Sequence, residues 1–176
     1  MSYFRDSSEV ESIYVAFIER FLESSDGERA LEASSALTVP AVLNLHLTSP
    51  DATLSVDLAE RSVVPAAAPE ASVQLEIEAS ALHDILLDRL DPVQISRLFE
   101  EDRAAIEGRP EALTGLIKLV GLLARHYPES LAEQRREDLL ATPEPPRSTV
   151  WRSEGPPKLM IGRRRPWQRP KVSATH

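Results

Sequence analysis

The sequence contains no cysteine and has few glycines and few aromatic residues. Its 176 residues include 6 glycines, and aromatic side chains make up 5% of the chain. The absence of cysteine excludes disulfides, thiolate nucleophiles and cysteine-based zinc sites, and it suits a reducing compartment. The glycines form no phosphate-binding loop. The scarcity of aromatic residues argues against a stacking platform for single-stranded nucleic acid.

No segment predicts export or insertion into a membrane. The N-terminal MSYFRDSSEV lacks a basic region followed by an apolar run, so we predict no signal peptide. The strongest apolar stretch, near Leu116–Ala124, is interrupted by Lys118 and Gly121. It is too short to span a bilayer, which requires about 20 residues. These observations predict a soluble, cytoplasmic protein.

Charge is divided unevenly along the chain. The net charge is −8, yet residues 143–176 carry +6, which leaves −14 on the rest. Seven of the 14 prolines lie in residues 141–176, and such a segment buries too little apolar surface to offset its ordering entropy. We predict a folded domain over 1–140 and an extended, Pro/Arg-rich tail over 141–176. The acidic domain argues against nucleic acid as its partner.

The pattern of apolar residues predicts an α+β domain that begins with helices. Apolar residues at three- and four-residue spacing predict a helix over 10–22, capped by Ser8 and ended by Asp26-Gly27. A second helix is expected over 28–36. Alternation of apolar and polar residues then predicts half-buried strands over 43–47, 54–58, 62–64 and 73–78.

Helical patterns return in the second half of the domain. Asp91-Pro92 is a strong helix start, because the aspartate can cap and the proline fits the first helical position. The remaining predicted elements are a helix from Ser80 to Leu87, one from Pro92 to Glu100, a strand over 104–107, a helix from Pro110 to about Arg125 that ends near Pro128, and a last helix over 129–140.

The titratable residues form no recognisable catalytic or metal-binding motif. The four histidines, none at metal-ligand spacing from another, are His46, His83, His126 and His176. His83 and Asp84 are adjacent on a predicted helix and so diverge around its axis. We interpret His83 as a surface histidine beside a carboxylate, and Glu76 and Glu78 as solvated charge on a strand's outer face. We predict no catalytic residue, no metal site and no cofactor.

The later helices carry more apolar residues than an ordinary core face needs. A stripe at helical spacing runs through Leu113, Leu116, Val120 and Leu123, and neighbouring leucines widen it. A helix that is apolar nearly all round is either fully buried or faces something apolar other than the core. The pattern alone leaves both explanations open, namely core packing or the wall of a ligand site.

One segment carries a family resemblance. The run LHDILLDRLDPV over 82–93, the pair Leu98-Phe99, the tripeptide Ile106-Glu107-Gly108 and the leucine-rich helix that follows resemble the SCP2-like (sterol carrier protein 2) family. The specific part of the resemblance covers 82–123, and the order of elements extends it to 8–125.

The resemblance implies a five-stranded, mainly antiparallel sheet with helices packed on one face. It also implies an apolar tunnel between sheet and helices that holds a lipid, an acyl chain or an isoprenoid, without catalysis. Helical phase together with the resemblance suggests ten residues for the tunnel wall: Phe17, Phe21, Leu86, Leu90, Ile95, Leu98, Phe99, Leu116, Leu119 and Leu123.

The tail lies outside the family pattern but contains residues suited to binding. Both tryptophans of the chain lie there, and cations stand beside one of them; the candidate partner-binding residues are Trp151, Arg163, Arg164, Arg165 and Trp167. Three interpretations are open: the tail docks on a partner enzyme, it folds back on the acidic domain, or it has no role.

Three functions follow from these patterns. The first is a non-catalytic carrier or accessory protein that holds a hydrophobic small molecule and presents it to an enzyme. The alternative is an interaction subunit with a filled cavity that binds and stabilises a partner enzyme through the tail. The third, an enzyme dependent on His46 or His83, has no supporting motif, and we predict that the protein is not an enzyme.

Overall fold

The computed structural model describes residues 3–35 and 41–141, and within them the chain forms six helices and five strands. The helices are α1 (Ser7–Glu23), α2 (Ser25–Ser35), α3 (Ala79–Leu86), α4 (Pro92–Glu100), α5 (Pro110–Glu133) and α6 (Glu137–Leu140). The strands are β1 (Val42–Thr48), β2 (Ala52–Asp57), β3 (Ser62–Val64), β4 (Val73–Glu78) and β5 (Ala104–Gly108). The chain divides into two units, Met1–Thr142 and Pro143–His176, and the second lies outside the described residues.

The five strands form one mixed sheet in the order β3-β2-β1-β4-β5. The central strands β1 and β4 run parallel, whereas the other three pairings are antiparallel. The expectation of a mainly antiparallel sheet is therefore corrected to a mixed one. The reason lies in the connection, because the chain must cross back over the sheet after β3 before it enters β4 in the direction of β1.

One face of the sheet is apolar and is covered by helices. Residues at alternate positions of neighbouring strands lie in register, so that Leu45 stands between Leu54 and Leu75. Side chains from α1, α3 and α5, among them Phe17 and Leu86, meet this face. The prediction that helices pack on the sheet is confirmed, and the alternation along each strand is its cause.

The first two helices begin and end differently from the prediction. The cap of α1 is Asp6, whose carboxylate accepts a hydrogen bond of 2.9 Å from the Glu9 N–H, and not Ser8. Asp26-Gly27 lies inside α2 rather than in a turn. A Cβ atom on Gly27 would lie 2.3 Å from the Phe21 carbonyl oxygen, so this glycine allows close approach of α2 to the end of α1.

The longest helix continues through a proline. Pro128 lies within α5, which ends at Glu133, and the predicted separate helix over 129–140 is thus the end of α5 followed by α6. A proline removes one hydrogen bond, here to the carbonyl of Ala124. Tyr127 and Leu131 on either side are fully buried, and their packing offsets that loss. None of the helices in the described residues is long and apolar enough to cross a membrane.

Candidate functional site

A small void lies in the interior between the sheet and the helices. It measures about 30 Å³ and is lined by aliphatic and aromatic side chains of α1, α3, α5, β1 and β4: Tyr14, Phe17, Ile18, Leu43, Leu45, Leu75, Leu82, Leu86, Leu116, Val120 and Leu123. A void of this size holds no more than a water or two, whereas ligand pockets usually enclose roughly 300–1,000 Å³. The space in which the resemblance implies a tunnel is therefore nearly filled.

A larger apolar groove lies on the outer side of α3 and α5. This helix groove, of about 480 Å³, runs between α3, α4 and α5, and its lining residues are Ile85, Leu86, Leu87, Asp88, Leu90, Ile95, Ile117, Val120, Gly121, Ala124, Arg125 and Pro128. The residues from α5 recur every three or four positions from Ile117 to Pro128, a length of about 16 Å at the rise of an α-helix. They therefore form one continuous strip along that helix.

Two side chains belong to both spaces. Leu86 of α3 and Val120 of α5 line the inner void on one side and the helix groove on the other. Leu86 is almost fully buried and Val120 is partly buried. These two side chains therefore separate an open apolar groove from the apolar interior.

The ten predicted wall residues lie in several places. Phe17, Leu86, Leu116 and Leu123 line the void, and Leu86, Leu90 and Ile95 line the helix groove. The other four line neither: Phe21 and Leu119 are buried in the core, Leu98 is buried beside a polar pocket of about 250 Å³, and Phe99 is partly exposed on α4. Whether any of the ten binds a ligand stays a prediction.

Sequence reasoning missed the outer side of α5 as a groove wall. Ile117 is 75% exposed although isoleucine normally favours the interior. A Cβ atom on Gly121 would meet nothing within 4 Å. Gly121 inside an apolar helical stripe was the available signal, since a helical glycine marks either a close contact or an open place, and here the place is open.

His83 is a buried residue, and its interpretation as a surface histidine is wrong. Its side chain is fully enclosed. The ring donates from Nε2 to the Leu139 carbonyl at 3.1 Å, and Nδ1 lies 2.8 Å from the Tyr127 hydroxyl. A carbonyl oxygen only accepts, which assigns the proton to Nε2 and makes the Tyr127 hydroxyl the donor to Nδ1. Burial lowers the pKa of His83 to about 4, so the ring is neutral at pH 7.

Arg89 holds the end of the described domain beside this histidine. Its guanidinium donates to the carbonyl oxygens of Leu139, Leu140 and Ala141 at 3.2, 2.8 and 3.2 Å, and it pairs with Asp84 at 3.3 Å. These contacts satisfy carbonyl groups that the short helix α6 leaves without partners. Arg89 and the His83 imidazole therefore join α3 and its following loop to the last turn of the domain.

Two further predictions concern metals and the tail. Within residues 3–35 and 41–141, no three histidine, aspartate or glutamate side chains are grouped so that they could hold a metal ion. The predicted partner-binding residues, namely Trp151, Arg163, Arg164, Arg165 and Trp167, lie outside the described residues. Their role stays a prediction.

Comparisons with known proteins indicate the fold. No family model matches the chain, and no curated protein matches it in sequence. The structure is similar to the sterol carrier protein domain 2 of Helicoverpa armigera, with a TM-score of 0.52 and 16% identity over 71% of this chain and 96% of that one.

Two other solved structures are similar at lower scores. One is described as a "UbiJ-SCP2 Ubiquinone synthesis protein", with a TM-score of 0.46 and 18% identity over 72% of this chain and 95% of that one. The other is sterol carrier protein 2 from Yarrowia lipolytica, with a TM-score of 0.48 and 17% identity over 72% of this chain and 98% of that one. The resemblance predicted from the sequence is confirmed at the level of the fold: the described part of this chain has the fold of a sterol carrier protein 2 domain.

Proposed function

We propose that the protein is a non-catalytic binding protein for a hydrophobic small molecule of lipid, acyl or isoprenoid type, which it presents to an enzyme. The helix groove carries the proposal, because it is an apolar opening of about 480 Å³ that meets the interior at Leu86 and Val120. Its volume lies within the usual range for ligand sites. Each methylene group that leaves water for such a site contributes about 0.8 kcal/mol.

Uptake requires movement of the helices rather than of the sheet. Leu86 is the last residue of α3, and Asp88 just beyond it has a positive φ of 55° in the loop that leads to α4. Val120 lies on α5, whose outer side borders the open groove. A ligand that displaces these two side chains joins the groove to the void and extends its apolar chain toward Phe17 and Leu45. The similar Helicoverpa armigera protein is named as a sterol carrier, which supports this proposal.

A fluorescence titration with cis-parinaric acid tests the proposal on the full chain. Val120→Phe fills the junction between groove and void, and we expect binding to weaken by about tenfold or more, equivalent to at least about 1.4 kcal/mol. The matched control is Val93→Phe, because Val93 is 62% exposed on α4 and lines neither space. Equal binding by both variants, or no saturable binding by the unaltered protein, would contradict the proposal.

A second function is favoured by the small size of the void. A void of only about 30 Å³ between the sheet and the helices is what we expect of an interaction subunit that keeps the fold but has filled its cavity with side chains. We propose for this case that the protein binds a partner enzyme through Trp151, Arg163, Arg164, Arg165 and Trp167. The substitutions Trp151→Ala and Trp167→Ala would then abolish association with a co-purified enzyme and leave the unfolding temperature of the domain unchanged. Retained association would contradict this alternative.

A further inference from the structure

The loop between α3 and α4 forms part of the wall of the helix groove. Three residues of this loop, which covers 87–91, line the groove: Leu87, Asp88 and Leu90. Arg89 lies between them in the chain but does not line the groove. Its guanidinium instead reaches the carbonyl groups at the end of the described domain. Neighbouring residues of one short loop therefore contact two different parts of the molecule.

Residues 139–141, which we call the strap, are held by donors from α3 and from this loop. The Leu139 carbonyl accepts from His83 Nε2 at 3.1 Å and from Arg89 Nη2 at 3.2 Å. The same Nη2 reaches the carbonyl oxygens of Leu140 and Ala141 at 2.8 and 3.2 Å. The Leu139 side chain is only 3% exposed and belongs to the hydrophobic core. The strap therefore joins the core to the α3–α4 loop.

The Arg89 side chain is shielded and oriented by its neighbours. It is only 16% exposed, and its Nη1 lies 3.3 Å from a carboxylate oxygen of Asp84. Asp84 is held in turn by the Tyr3 hydroxyl, which donates to it at 2.9 Å. Charge-assisted hydrogen bonds are about twice as strong as neutral ones, and partly buried charges are screened less by salt than exposed ones. Arg89 therefore fixes the loop to the strap more firmly than an exposed pair would.

The side chain that separates the groove from the void lies on the same turn of α3. Leu86 follows His83 by three residues, and residues at this spacing are neighbours on a helix surface. The backbone N–H of Arg89 donates to the Asp84 carbonyl at 2.9 Å. The N–H of Leu87 donates to the His83 carbonyl at 3.1 Å. The last turn of α3 and the loop thus form one hydrogen-bonded unit, and displacing Leu86 to admit a ligand requires this unit to move.

We propose that the strap controls the entry of a ligand from the helix groove into the interior. While Arg89 and His83 hold residues 139–141, the α3–α4 loop and Leu86 stay in place and separate the groove from the void. Release of the strap frees the loop and the last turn of α3, and the groove then opens to the interior. This regulation rests on the function proposed for the groove.

Amide hydrogen exchange of the full chain, followed by NMR, tests whether the strap holds the loop. The variant Arg89→Lys keeps the positive charge but loses the planar fork that reaches several acceptors. The amides of Leu87, Asp88 and Arg89, which are hydrogen-bonded to carbonyls of α3, should exchange at least about tenfold faster, while those of β1 and β4 keep their rates. The control Arg29→Lys alters an arginine–carboxylate pair on α2, 2.9 Å from Asp26, and should change neither set.

A titration with cis-parinaric acid tests whether the strap also controls the groove. A protein whose binding-competent state is rarely populated binds with a reduced apparent affinity, and removing the constraint raises that affinity. We therefore expect Arg89→Lys to bind cis-parinaric acid about threefold or more tighter than the unaltered protein, and Arg29→Lys to bind as the unaltered protein does. Damage to the groove would weaken binding, so the direction of the change distinguishes control of entry from a purely structural contact.

A second variant, Asp84→Asn, keeps the test decisive if Arg89→Lys does not fold. It preserves the shape of the carboxyl group but weakens its pairing with Arg89, so it should show both changes at a smaller size. Unchanged exchange at 87–89, an equal rise throughout the sheet, or unchanged or weaker binding by the variants would overturn the proposal. If the unaltered protein does not bind cis-parinaric acid, the function proposed for the groove fails, whereas exchange at 87–89 still decides whether the strap holds the loop.

Discussion

Both sides of α5 carry apolar residues, but their surroundings differ. On the inner side, Leu119 and Leu131 are fully buried. On the outer side, Ile117 is three-quarters exposed and Gly121 faces open space. Hydrophobicity within one helix therefore does not distinguish packed core from an open apolar surface. The distinction depends on which other elements cover each side.

The largest expected difference between the two sides is in stability. Leu119→Ala leaves a cavity in a packed region and should lower the free energy of unfolding by about 2–5 kcal/mol. Ile117→Ala, two residues away, should change it by no more than about 0.5 kcal/mol, because the side chain is already exposed. Urea denaturation of both variants measures the difference, and comparable losses would show that the outer side is also packed.

A second difference between the two sides is that the inner side should make stability depend on pH, because its Tyr127 is hydrogen-bonded to His83. The folded state keeps His83 neutral with a pKa of about 4, against 6.5 for an unperturbed histidine. Below pH 6.5 the unfolded chain binds a proton that the folded chain does not, so stability falls as the pH decreases toward 4. We expect a loss of about 2 kcal/mol from this group between pH 7 and pH 5.

The variant His83→Gln isolates that effect. Its amide can still donate to the Leu139 carbonyl but does not titrate, so it should be less stable than the unaltered protein at pH 7 and lose less stability on going to pH 5. Urea denaturation at both pH values measures the two losses. Parallel pH dependence in the two proteins would exclude His83 as the source.

The smallest expected change in stability comes from replacing a glycine on the outer side of α5, and a second helical glycine gives the contrast. Gly121→Ala on the outer side of α5 should raise stability by about 0.5–1 kcal/mol, since alanine favours the helix and a Cβ there meets no atom within 4 Å. Gly27→Ala in α2 should lower stability by about 1–3 kcal/mol, because its Cβ would press on the backbone of α1. Thermal unfolding compares the pair, and a loss at Gly121 would show that the outer side is covered.

Local patterns predicted most of the fold. Strand alternation predicted β1 to β4, and the helix start at Asp91-Pro92 was confirmed by a capping box in which Asp91 and Gln94 bond each other's backbone N–H groups. These features depend on neighbours only a few residues apart, and such neighbours are visible in sequence. The SCP2-like resemblance added the arrangement of the helices on one face.

The errors occurred where distant residues decide the structure. Pro128 was expected to end a helix, but the burial of Tyr127 and Leu131 keeps α5 continuous. His83 was expected at the surface, but it is buried and pairs with Tyr127 and Leu139. These partners lie 44 and 56 residues away in the chain, so the local sequence does not reveal them. The candidate site depends on distant residues in the same way: helical phase selected Leu86 and Leu116, which line the void, and also Phe21 and Leu119, which are buried but do not line it.

The sequence by itself determined the order of helices and strands, the apolar face of the sheet and the acidic charge of the domain, because these depend on composition and short-range periodicity. Only the tertiary structure decided that the sheet is mixed, that the interior is nearly filled and that the open apolar space lies outside α5. Those properties arise from packing between segments far apart in the chain, where the volumes of opposing side chains, and not their hydrophobicity, determine whether space is left.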